Sequence, residues 1–360
     1  MEPQYYLHMK LLILLDLIFS ICLQLYGKAG EISKTSLSGK DGHPSAYSDV
    51  REVTRSARSS PIRISKENHI HKMSINNKPC VTVKSGTRLI LECQDGLEGR
   101  SKEYFNNKTP YSEIFPIANP GTGPVFIEDA LPGDVLEVEI HDIRLSGLGY
   151  IQLNKNQFVD NTPWENVYAE AEIKGTYLLY NGLKMPIQPM VGTIGTAGLK
   201  EIYCQENGDN GGNMDTRLIK KHSKVLLPVF AEGGLLAMGD LHAVMGDGEV
   251  FGQGVEIGGE VEITVRVRKD LKIQRPMVFL TDRIASIASN ADILAAKDQA
   301  INDMGKFLVD MCGFNSIDAS SLIAFYGNLA FCQVVTARKT VRMEIEKKYI
   351  RLFNPKTLPF

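Results

Sequence analysis

The 360-residue chain lacks a strong charge of either sign: 40 Lys and Arg stand against 42 Asp and Glu, for a formal net charge of -2. No global basic field exists to gather nucleic acid, so a small or neutral ligand is the expected partner. The six cysteines, Cys22, Cys80, Cys93, Cys204, Cys312 and Cys332, form no CxxC pair of the kind that holds zinc or runs dithiol exchange. With Cys22 in a removable segment, at least one thiol is left unpaired. Cys93 and Cys204 sit in no recognisable context for thiol attack. No Gly-x-Ser-x-Gly elbow is present, which removes the usual serine hydrolase. Internal repeats are absent too.

Long apolar runs are missing except at residues 11–25, and that run is short for a membrane span. His8 and Lys10 precede it, and Gly27-Lys28-Ala29 offers small residues where a signal peptidase reads. Residues 1–30 are therefore expected to be a cleaved export signal or a signal anchor, giving a secreted or membrane-anchored protein. Asp16 opposes insertion and Met9 is a second possible start; a merely apolar N-terminus implies a cytoplasmic protein. Residues 31–65 are rich in Ser, Lys, Arg and Gly without apolar periodicity, and are expected to be a disordered linker.

What is present from residue 66 onward is a globular composition, 43% hydrophobic and 23% charged over the whole chain. Residues 70–275 alternate short apolar runs with Gly, Pro, Asn and Asp, the pattern of a many-stranded β fold. Val135, Glu137 and Glu139 against Leu136, Val138 and Ile140, and likewise residues 261–267, have the period of two that leaves one face wet. Ile293, Leu294, Ala296, Ala300, Ile301, Met304, Leu308 and Met311 recur at helical spacing, with Gly313 as C-terminal cap. A second helix is expected over residues 318–335, capped by Asp318 or Ser316, making 281–336 helical, and a final strand at 341–346. The fold class is mainly β with a C-terminal helical segment, an α+β protein with a sandwich or jelly-roll core.

The densest chemistry lies in Gly239-Asp240-Leu241-His242-Ala243-Val244-Met245-Gly246-Asp247-Gly248-Glu249, followed by Glu256. Four carboxylates and an imidazole offer hard oxygen and borderline nitrogen ligands, and the glycines permit turns that bring neighbouring strands together. On a strand, Asp240 and His242 project from one face, half of a metal site; the bland alternative is a tight hairpin. A second cluster is Asn210-Gly211-Gly212-Asn213-Met214-Asp215. It is no EF-hand, because Lys220 stands where the bidentate Glu belongs. Asp95 follows the apolar run 89–91, and His69 and His71, beside the linker, are expected to be solvated. The segment 119–124 reads as a rigid loop able to shape a pocket wall.

Asn119-Pro120-Gly121-Thr122-Gly123-Pro124 running into Glu128-Asp129-Ala130-Leu131-Pro132-Gly133-Asp134 resembles the NPxTGP…GAxPGD block of acetamidases and formamidases. Residues 211–215 resemble their GGNMD block and residues 239–249 their GDxHAxxGDGE block, while Gln333-Val334-Val335 resembles the end of their C-terminal region. The blocks occur in the family's order across residues 66–360. Thr336-Ala337 stand where the family often has an Asp-Pro pair.

The resemblance implies a metal-dependent hydrolase of small linear amides such as formamide and acetamide, releasing carboxylate and ammonia. On that reading Asp240 and His242 are catalytic metal ligands, Asp95 and Asp215 additional ligands, and Glu249 the general base and later acid. Asn213 and the backbone N–H groups of Gly211 and Gly212 hold the amide or its oxyanion. Zinc is the first expectation for the cation and calcium the second. A homo-oligomer is expected, with membrane contact only through an uncleaved N-terminus. Two alternatives are an exported, non-catalytic Ca²⁺-dependent sandwich using Asp240, Asp247 and Glu249, and a same-family hydrolase of a larger amide.

Overall fold

The computed structural model describes residues 60–153 and 165–353, so the expected signal segment and most of the expected linker lie outside the described residues. The linker's last residues do not behave as one. Ile62–Ile64 form a strand parallel to Arg88–Cys93, in register Ile62 with Leu89, and Ile64 is buried. The apolar Ile62 and Ile64, two apart, are the only pattern a three-residue edge strand can carry, and Ser-rich composition masked it.

Among the described residues, two large sheets and one two-stranded sheet form the β part. The nine-stranded one runs, in spatial order, Ile62–Ile64, Arg88–Cys93, Gly259–Arg268, Val135–Leu145, Lys224–Pro228, Met277–Phe279, Arg283–Asn290, Lys339–Glu346 and Asn328–Gln333. The twelve-stranded one has at its centre Glu256–Ile257, Leu236–His242, Met190–Gly195 and Gly211–Asn213, with Gly121–Ile127 joining Leu236–His242 from the other side of a bulge. One apolar core lies between them, supplied by Leu89, Leu91, Val138 and Ile140 from the first sheet and Val191, Ile194, Met238 and Leu241 from the second. The fold is thus mainly β with helices at its C-terminal end, as the period-two segments predict.

The helix Ile293–Cys312 buries Ala296, Ala300, Met304 and Phe307 against the strands Arg283–Asn290 and Lys339–Glu346, and ends at Gly313 with φ 70°. The rest of the expected helical region needs correction. Residues 283–290 are a strand buried on both faces, where Ile and Ala on each side leave no alternation to read. The second helix is shorter, Ser316–Tyr326, and Asn315 rather than Ser316 or Asp318 caps it, accepting a hydrogen bond from Asp318 N at 2.8 Å. It stops at Gly327, whose missing Cβ would lie 2.4 Å from Ile323 O, and Asn328–Gln333 becomes an edge strand paired with Lys339–Glu346. The segment 119–124 differs from a loop beyond its start, since 121–127 is a strand paired with Leu236–His242, while Asn119 just before it does line a cavity.

Candidate active site

Leu236–His242 is buried along its whole length, and its last turn of pleat points Asp240 and His242 to one place. His242 Nε2 lies 3.5 Å from Asp240 Oδ1 and 3.1 Å from Glu256 Oε1. Glu256 arrives from the adjacent strand directly opposite His242. Asp215 follows the strand Gly211–Asn213, and Glu249 closes a turn in which its N–H donates to Gly246 O at 3.2 Å. Two triads, Asp240–His242–Glu256 and Asp215–His242–Glu249, share the imidazole, and within each the ligand atoms lie within 4.8 Å of one another. These buried groups form an arrangement able to hold a metal ion.

Backbone geometry explains how carboxylates crowd here. Asn119, Asp215, Asp240 and Glu249 all have positive φ, between 46° and 57°, a region that costs L-residues energy and that surrounding structure must enforce. Across the ladder from Asp240 sits Gly192, where a Cβ would lie 2.5 Å from both Asp215 Oδ1 and Asp240 Oδ2. Only hydrogen fits between the two carboxylates. The Glu249 turn is held from below: buried Arg342 donates to both oxygens of Asp247 at 2.9 and 2.8 Å, Gly248 N donates to Cys332 O, and Val334 N donates to Gly248 O. The end of the edge strand around Gln333-Val334-Val335 therefore positions the Glu249 turn, and Asp247 is an ion-pair partner of Arg342.

The charge balance of the site is unequal. Asp215, Asp240, Glu249 and Glu256 are buried around one imidazole, the only ionic partner seen for any of them among the described residues. Asp215 Oδ1 and Oδ2, Glu249 Oε2, Glu256 Oε2 and His242 Nδ1 have no hydrogen-bond partner. Burial, and then the Asp240 charge, push Asp215 up to about 8. Burial and then Asp215 push Glu249 up to about 10, and burial with the Asp240 charge outweighs His242 in raising Glu256 to about 7. Burial opposes charge on His242, but Glu256 and Asp240 outweigh it and hold its pKa well above the usual imidazole range. Like charges kept this close out of water need a compensating cation or protons.

Asp240, His242, Asp215 and Glu249 thus come together. Asp95 does not join them: its Oδ1 accepts from Leu97 N and Gly99 N, both at 2.9 Å, which fixes a turn. Gly211 and Gly212 also need correction. They are wedged between Met190–Gly195 and Asn207–Gly208, where a Cβ would lie 2.4 Å from Ile194 O or 2.3 Å from Glu206 O. Neither glycine is among the residues that line the cavity, and close backbone approach is the reason for both.

Three participants had no assigned role in the sequence. Glu256 was visible only as one more acid after the cluster. Asn119 Nδ2 donates to Asp240 Oδ2 at 3.0 Å and to Asn213 Oδ1 at 3.2 Å, and Thr193 Oγ1 donates to Asn213 Oδ1 at 2.8 Å. Thr193 carries no local signal, because what makes it matter is a strand pairing. The cluster opens into a cavity of about 660 Å³ lined by Leu97, Tyr111, Phe115, Tyr150, Gln205 and Phe251 among others. The cysteines stay out of it: all five described are free thiols, and burial pushes Cys93 and Cys204 up to about 12.

A sandwich whose central strand delivers clustered acids and one imidazole to a cavity is the frame of a hydrolytic enzyme, and comparison with known proteins gives the particular kind. The sequence profile of the Acetamidase/Formamidase family matches residues 205–289. A Thermoanaerobacter tengcongensis protein described as a predicted acetamidase/formamidase has a solved structure that superposes with TM-score 0.75 at 35% identity, covering 82% of this chain and 99% of that one. The structure of Bacillus halodurans acetamidase gives TM-score 0.74 at 34% identity, covering 81% and 100%. The acetamidase of Mycolicibacterium smegmatis is 42% identical over 52% of this chain and 63% of its own length. The chain belongs to the acetamidase/formamidase family and is an amidohydrolase acting on small amides.

Proposed function

We propose that the chain is a metal-dependent hydrolase of the carbon–nitrogen bond of small linear amides, formamide and acetamide first, with a divalent cation, zinc before calcium, held by Asp215, Asp240 and His242 together with Glu256. The observation that carries the reading is the set of five buried, unpartnered polar atoms around His242: oxygen and nitrogen donors of mixed type suit a borderline cation. When bound, the cation supplies positive charge that polarises the amide carbonyl and lowers the pKa of the attacking water.

The remaining work falls to the chain. Glu249, with Oε2 unpartnered, takes a proton from the water and returns it to the departing ammonia nitrogen. Asn213 lines the cavity with its Oδ1 already accepting from Thr193 and Asn119, which leaves Nδ2 as the donor toward the amide oxygen. Ammonia release from formamide and acetamide, measured with metal content for wild type, Asp240→Ala and His242→Ala, tests this. Loss of turnover and of bound metal in both variants supports it; full turnover in either, or in metal-stripped protein, overturns it.

A larger amide is a second reading, favoured by the size of the cavity. At about 660 Å³ it sits in the range of roughly 300–1,000 Å³ that accommodates drug-sized ligands, far more than two-carbon amides fill, and aromatic side chains line it. Comparing kcat/KM for acetamide with that for an aryl-substituted amide separates the two; preference for acetamide removes the second.

A further inference from the structure

Neither the cavity nor its chemistry uses His69, His71 and Glu98. His69 lies in the short strand His69–Ile70, paired to Gly121–Ile127, and His71 follows it. Glu98 sits in the turn after Arg88–Cys93, where its N–H donates to Asp95 O at 3.2 Å. Contrary to the solvated pair the sequence suggests, both imidazoles turn inward and their side chains are only 21% and 33% exposed. Both Nε2 atoms converge on one oxygen, Glu98 Oε1, at 3.3 Å from His69 and 2.6 Å from His71.

The tautomer of His69 makes that convergence informative. Its Nδ1 lies 2.9 Å from Lys66 O, which can only accept, so Nδ1 carries the hydrogen. Gln94 Nε2 approaches the same nitrogen at 3.3 Å, a longer contact that the carbonyl outcompetes. Nε2 is then a lone pair facing a carboxylate oxygen, an arrangement that requires positive charge between the two. An outer carbonyl that fixes the ring while the other nitrogen points at a shared centre is the usual support of a metal-bound histidine.

We propose that His69, His71 and Glu98 form a second site for a divalent transition metal of the zinc class, separate from the cavity. Two imidazole nitrogens and one carboxylate oxygen supply three of the four tetrahedral positions, and the partial exposure of the site lets water supply the fourth. The ion would tie the strand at residues 69–70 to the turn that carries Gly96 and Leu97, two residues of the cavity wall. Its role is therefore to brace that wall, and it does not depend on the amide reading.

The test uses the full chain loaded with Zn²⁺, dialysed and assayed for zinc per chain, comparing wild type with His71→Ala and with Glu98→Gln, the latter an isosteric change at a side chain 22% exposed. Wild type is expected to retain one zinc per chain more than either variant, and to show a zinc-dependent rise in thermal midpoint that both variants lose in part. Because the readout is a difference at residues outside the cavity, failure of the cavity to bind metal does not affect it. Equal zinc in all three proteins overturns the proposal and leaves a proton as the charge between His69 and Glu98.

Discussion

The two clusters of histidine and carboxylate are built from the same residue types on strands that flank Gly121–Ile127, and they differ in charge and in water. In the cavity four carboxylates share one buried imidazole; at the rim, behind the wall that Gly96 and Leu97 form, two imidazoles share one partly buried carboxylate. The first carries an excess of negative charge that protons satisfy only by raising pKa values far above the carboxylate range, as at Glu249. The second has one carboxylate rather than four and is partly wet, so an ion there has less to compensate. Donor type alone does not set what a cluster can hold: burial and the sign of the excess charge separate two clusters of the same residue types.

The largest break between them is expected from Gly192→Ala. Its Cβ would stand 2.5 Å from Asp215 Oδ1 and Asp240 Oδ2 and 2.9 Å from Asp240 O, so carboxylates or backbone must move. Amide turnover should fall below detection and stability by about 1–3 kcal/mol, the usual cost of overpacking, while zinc at the rim cluster persists. Denaturant unfolding alongside ammonia release checks both parts; a fully active Gly192→Ala enzyme contradicts the geometry.

Next in size is Glu249→Gln. The amide keeps the shape and removes the proton carrier, so kcat should drop roughly 10²–10⁴-fold, the range for losing a positioned acid–base group, with metal content unchanged. A metal loss equal to that of Asp240→Ala would instead make Glu249 a ligand.

How much of this contrast was legible in the sequence depends on whether neighbours in space were neighbours in the chain. Asp240 and His242 were readable because two positions on one strand share a face, and residues 135–140 and 261–267 because one face stays wet. Glu256 could be counted but not placed, since its register opposite His242 is a property of two strands. Thr193 was invisible for the same reason. Asp95 misled because an acid after an apolar run is as often a turn former as a ligand, and here it accepts from Leu97 N and Gly99 N. Paired glycines at 211 and 212 signal close backbone approach in the sequence, and the strands on either side need that space. The strand at 283–290 was lost among the helices because it is buried on both faces, where periodicity carries no information.

A smaller effect follows from the raised carboxylates. A group whose folded pKa lies above its unfolded value stabilises the fold below the unfolded pKa, and the benefit is lost as pH rises through the folded one. For the metal-free protein, Glu256 at about 7, Asp215 at about 8 and Glu249 at about 10 place that loss between pH 4, near the unfolded carboxylate value, and pH 10. Thermal midpoints of chelator-treated protein should therefore fall as pH rises across this window, and added Zn²⁺ should flatten the slope, because an ion favours ionised carboxylates. A metal-free protein whose midpoint rises over the same window would show that the cavity acids are ionised without a cation.

The smallest expected effect is the one that joins the clusters. Gly96 lies two residues before Glu98 and its missing Cβ faces the cavity, 3.2 Å from Asn119 Oδ1 and from Glu256 Oε2 and 3.6 Å from Asp240 Oδ1. The nearest atoms are side-chain tips, which can yield a few tenths of an ångström, so Gly96→Ala should fold normally. Asn119 would be nudged from Asp240 and Asn213, and Glu256 from the ion it is proposed to hold, so kcat/KM should fall roughly two- to five-fold, equivalent to about 0.4–1 kcal/mol, with a rise in KM as the larger part. Because the same turn carries Glu98, zinc that ties it to His69 and His71 should enlarge the KM change by stopping the turn from shifting outward. An identical KM ratio with and without zinc would mean that the rim cluster does not brace the cavity wall.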